Sequence, residues 1–98
     1  MFLAITAAAF AITMAPPVEM MPTTAQMDHS VEIIEPVAQL QRDCAAAAEL
    51  PSRQAYFRGF YIQATDRIYL PSDWPSKREF EAIRVHEHAH RMFGWTHP

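Results

Sequence analysis

The stretch that most restricts this chain is residues 76–94, SKREFEAIRVHEHAHRMFG, because both of its ends are marked. Ser76 and Glu79 form an S-x-x-E capping box, in which the serine oxygen takes an orphan N–H and the glutamate reaches back to the cap. Gly94 stands where a helix-ending glycine belongs. The pattern predicts a helix over about 77–93, although Lys77 and Arg78 oppose the dipole in its first turn. Ile83, His86, His90 and Phe93 recur at spacings of three and four, so this stripe is expected to face the core. His88 lies two positions from His86 and from His90 and is expected to point to solvent.

His86, Glu87 and His90 spell H-E-x-x-H. Residues four apart lie one turn apart on the same face, so two imidazoles can converge on one Zn2+ at about 2.0–2.1 Å. Glu87, rotated by about 100°, can touch a water on the ion without binding it, which makes it the candidate general base. Two histidines do not complete a catalytic site. His97 is the candidate third ligand, since Gly94 can turn the chain back toward the metal. His29, near the linker, and Glu79 and Glu81, upstream on the same helix, are weaker candidates. The competing reading is a helix whose histidines face solvent, with Glu87 paired to Arg84 or Arg91.

The remaining chain reads as one small domain with an apolar leader. Residues 2–14, FLAITAAAFAITM, are shorter than the roughly 20 needed to span a membrane and fit the core of a signal peptide. No Lys or Arg precedes them. Cleavage after Ala25 is expected, with Ala15 as the rival. Residues 1–25 are thus a leader, 26–35 a linker, and 36–98 the domain. The expected location is exported, periplasmic or secreted. The alternative is a cytoplasmic or membrane-associated chain, with transient membrane contact through an uncleaved N-terminus. A net charge of −3, with basic residues mostly scattered singly, argues against a nucleic-acid partner. Cys44 is the single cysteine, so no internal disulfide can form, and it reads as a buried thiol. A domain this small is marginal on its core alone, which raises the prior for a metal.

Residues 37–50 carry an apolar stripe of Val37, Leu40, Cys44 and Ala47 or Ala48, and predict a helix closed by Pro51. Residues 56–63, YFRGFYIQ, and 67–70, RIYL, predict an antiparallel hairpin. Ile68 and Leu70 should point one way and Tyr69 the other. Gly59, placed mid-strand, suggests a bulge or a close backbone approach. Residues 71–76 read as loop. The fold class expected is α+β.

Residues 56–98 resemble the zincins, the zinc metallopeptidases built on H-E-x-x-H, and small bacterial and phage-type proteins with IYLP followed by VHE..H. The resemblance implies a small zincin-like fold with His86 and His90 as zinc ligands and Glu87 as base. Gly94 and His97 resemble the metzincin extension, with one extra residue before the glycine. No methionine turn follows within the sequence, nor a later glutamate of the gluzincin kind. In zincins an edge strand pairs with extended substrate, and RIYL matches that place. The function expected is hydrolysis of peptide or protein substrates, with Tyr61, Tyr69 and Arg91 as candidates for oxyanion stabilisation. The alternatives are a non-catalytic protein stapled by zinc, or an interaction module presenting Tyr56, Phe57, Phe60 and Tyr61.

Overall fold

The computed structural model describes residues 14–48, 57–74 and 76–97. In chain order its elements are β1 (Glu32–Glu35), α1 (Val37–Ala48), β2 (Phe60–Ile62), β3 (Arg67–Pro71) and α2 (Lys77–Phe93), preceded by short 3-10 turns at Val18–Met20, Thr24–Gln26 and His29–Val31. The α+β expectation holds at this level: the strands form a mixed sheet in the order β1-β3-β2. β2 and β3 make the expected hairpin, with Phe60 opposite Tyr69 and Ile62 opposite Arg67. β1 runs parallel to β3, with Glu32 opposite Ile68 and Glu35 opposite Pro71.

β3 alternates as its sequence requires, and that alternation builds a core on each face of the sheet. Ile68 and Leu70 pack with Val31 and with Ile83 of α2. Tyr69 turns the other way, onto the cluster of Leu40 and Cys44 from α1 with Phe57 and Phe60. Its ring stacks on Phe60 at 4.4 Å. The sheet therefore lies between α1 and α2. The loop after β3 caps α1: the Val37 N–H donates to Asp73 Oδ1 at 2.8 Å, which satisfies one of the helix's orphan donors. Gln41 holds the Phe57 backbone from α1, donating to its carbonyl at 2.5 Å and accepting from its N–H at 2.6 Å.

The structure corrects several expectations. Residues 26–35, read as linker, include the turn His29–Val31 and strand β1. β3, read as the edge strand that would receive substrate, is the central strand with both sides paired. Phe57 and Phe60 are 2% and 0% exposed, which removes them from any contact surface. Tyr56 lies outside the described residues, as do residues 1–13 and the last two positions expected for α1. Among the described residues no helix is long and apolar enough to cross a membrane.

Gly59 precedes β2 rather than lying within a strand, and the close approach expected there is real. A Cβ at this position would stand 2.8 Å from Ile83 Cγ2 and 3.2 Å from the Tyr69 carbonyl oxygen. One neighbour is backbone and the other a buried β-branched side chain, so neither gives way easily. Gly59→Ala is expected to destabilise the protein by about 1–3 kcal/mol, read as a lowered denaturation midpoint. A neutral result would mean that α2 does not press on this segment.

Candidate metal centre

Helix α2 is positioned by its ends. Ser76 Oγ accepts from the Glu79 N–H at 3.2 Å. The expected return bond from Glu79 is replaced: its carboxylate takes the Trp74 indole N–H and the Arg58 guanidinium, each at 2.9 Å. At the other end Gly94 adopts φ 65°, and its N–H donates to the His90 carbonyl at 3.1 Å. That left-handed turn reverses the chain. It lays Trp95 on His90, ring centroids 4.8 Å apart and nearly parallel, and returns His97 to the helix.

His86, His90 and His97 meet through their Nε2 atoms, 3.0 Å for His86–His90, 3.2 Å for His90–His97 and 2.7 Å for His86–His97. The other ring nitrogens fix the tautomers. His86 Nδ1 lies 2.5 Å from the Met14 carbonyl oxygen, and His90 Nδ1 is bonded to the Trp95 carbonyl oxygen. A carbonyl accepts only, so each Nδ1 carries the proton and each Nε2 presents a bare lone pair. His86 and His90 then have no proton to share, and His97 can lend one to a single neighbour. Lone pairs this close repel unless a cation sits between them. Ligands about 2.0–2.1 Å from a tetrahedral ion lie roughly 3.3 Å apart, so this triangle needs only a small opening to accept one. The three histidines can hold a metal ion.

Electrostatics favour the same state. Burial pushes the His86 imidazole from the usual 6.5 down to about 4 against the opposing pull of the Met14 carbonyl. Burial also lowers His90 and His97. Neutral imidazole is the form that binds metal.

Glu87 is 0% exposed. Burial raises its carboxyl well above the usual range, and neither oxygen has a hydrogen-bond partner among the described residues. The expected alternative pairings do not occur. Arg84 pairs with Glu81 at 2.8 Å and Glu32 at 3.2 Å, and Arg91 grips Asp66 at 2.8 and 3.1 Å. The reading of these histidines as a solvent face is thereby overturned. His88, expected in solvent, is also 0% exposed, and its Nε2 lies 2.6 Å from Glu32 Oε2. The physical reason is that the segment leading into β1 covers a second side of α2, and a helical stripe records only one covered side.

The candidate oxyanion groups are engaged elsewhere. The Tyr61 hydroxyl donates to Asp66 at 3.0 Å, Arg91 holds the same carboxylate, and Tyr69 stacks on Phe60. Sequence reasoning missed Met14 and Trp95, because both act through backbone carbonyls, which carry no residue signature. Ligand-orienting hydrogen bonds of this kind typically account for 10–100-fold in metal affinity. A chain beginning at Pro16 keeps the buried Pro16, Pro22 and Met27 but loses the Met14 carbonyl. It is expected to bind Zn2+ about 10–100-fold more weakly by calorimetric titration, and equal affinity would remove Met14 from the site.

No protein-family model matches the chain, and the searches of curated proteins and of solved structures give no match either.

Proposed function

We propose that His86, His90 and His97 hold one Zn2+ ion and that the centre hydrolyses peptide bonds in the manner of the zincins its motif resembles. The observation that carries the metal half is the triangle of Nε2 atoms, 2.7–3.2 Å apart, with two of its rings committed through Nδ1 to carbonyl oxygens. An all-imidazole donor set suits zinc among several borderline ions, and three protein ligands leave one position open. Bound there, the ion would lower the pKa of water toward about 7 and polarise a substrate carbonyl.

The chain's own contribution is proton handling and enclosure. With the charge of a bound ion beside it favouring the ionised carboxylate, Glu87 would take a proton from water and deliver it to the leaving amine, while water's oxygen joins the acyl carbon and the C–N bond breaks. A buried carboxylate without a partner is costly to maintain, and a water held beside the histidines gives it a role and a partner. Trp95, 8% exposed and stacked on His90, shields one side of the triangle.

A second reading, in which the ion only staples the fold, is favoured by the central place of β3 and the full burial of Glu87. Both limit access by an extended peptide. Native mass spectrometry of the purified protein, paired with cleavage of a fluorogenic peptide library, tests the two halves separately. Bound zinc with chelator-sensitive cleavage supports the hydrolase, bound zinc without cleavage leaves the staple, and no bound zinc ends both.

A further inference from the structure

We infer that α2 carries a second cation site, independent of the first, built by His29, Glu32 and His88. Their ligand atoms all lie within 4.8 Å of one another. Glu32 Oε2 is the hub, 2.8 Å from His29 Nδ1 and 2.6 Å from His88 Nε2. The glutamate and His88 side chains are 2% and 0% exposed, and His29 is 51% exposed. The site thus has two buried ligands fixed by the fold and one at the surface that can admit an ion. Two imidazoles and a carboxylate suit a borderline divalent ion such as Zn2+ or Co2+, with water completing the shell.

A carboxylate only accepts, so His29 Nδ1 and His88 Nε2 each point a proton at Glu32 Oε2, and a divalent ion would take the place of those two protons. Glu32 sits where β1 begins, and His29 lies in the preceding turn, so an ion here would tie the N-terminal segment to α2. The opposing feature is Arg84, whose Nε stands 3.2 Å from the same Glu32 oxygen. Its guanidinium is also held by Glu81 at 2.8 Å, so Arg84 keeps a partner when Glu32 turns to a metal. Asp28 and Arg91 also act on His88 electrostatically, with opposite signs.

The test is a Zn2+ titration of the full chain, repeated with Co2+ so that its absorption bands report each coordination shell. The wild type is expected to bind two equivalents. His29→Ala, a change at a surface-exposed ring, should bind one and keep the spectrum of the three-histidine centre. His97→Ala should bind one with the spectrum of the other site. If the wild type binds one equivalent and His29→Ala leaves its affinity and spectrum unchanged, the second site does not exist. Loss of an equivalent in His29→Ala alone would sustain it even if the three-histidine centre proved empty.

Discussion

With zinc held by the three histidines as proposed, chelation is expected to lower the thermal midpoint by about 15–30 °C, and His90→Ala is expected to remove most of that shift. Free zinc at a thousandfold excess over Kd stabilises a protein by about 4 kcal/mol, and each kcal/mol moves the midpoint of a domain this size by about 4–8 °C. His90 touches both other histidines, at 3.0 and 3.2 Å, so its loss leaves only two of the three ligands. The comparison must be of midpoints with and without zinc, since emptying a buried site lowers the absolute midpoint by itself. A His90→Ala protein with an undiminished zinc shift would place the ion elsewhere. Acid should act in the same direction as the chelator. The unfolded chain takes up protons below about pH 6.5, whereas folded His86 resists to about 4. The unfolded state therefore binds more protons in that window, and stability falls as pH drops through it.

Glu87 is expected to separate stability from function. Glu87→Gln should lower peptide cleavage by about 10²–10⁴-fold with zinc retained, the usual scale for losing a general base. In the zinc-free protein Glu87→Met, which removes a buried carboxyl with no partner among the described residues, should raise stability by about 1–3 kcal/mol. The sign with pH follows from the raised carboxyl. In the zinc-free protein, above about 4.5 the unfolded chain releases this proton while the folded chain retains it, so the wild type loses stability as pH rises from there. The gain from Glu87→Met should grow over the same range. Unchanged cleavage in Glu87→Gln would assign the base to another group. A Glu87→Met protein that is less stable would show that the carboxyl has a partner, and the argument from its isolation would fail.

Much of this was legible in the sequence, for particular reasons. The bounds of α2 follow from Ser76 and Gly94, and both act as their chemistry requires. The meeting of His97 with His86 and His90 follows from a one-turn spacing and a glycine exit. The hairpin follows from two β-rich runs, YFRGFYIQ and RIYL, set close together in the chain. β1 was hidden because EIIE offers two apolar residues between two carboxylates, and its pairing with β3 is parallel and distant in sequence. Its first carboxylate is buried through His29, His88 and Arg84, a compensation no local pattern announces. His88 was misread for the same reason, since periodicity cannot report a partner from far along the chain.

The carbonyl of Met14 turns the ring of His86, while His97 completes the triangle from beyond the final helix. The centre is therefore not a portable cassette. Grafting the terminal helix and its tail onto another scaffold would transfer the donors but leave one imidazole free to spin. Nor can α2 form the centre alone, because the helix carries two of the rings and His97 must return from beyond Gly94 to close the triangle. An ion held by His86, His90 and His97 closes a loop of only about a dozen residues, and so acts on the unfolded ensemble as a short, local cross-link.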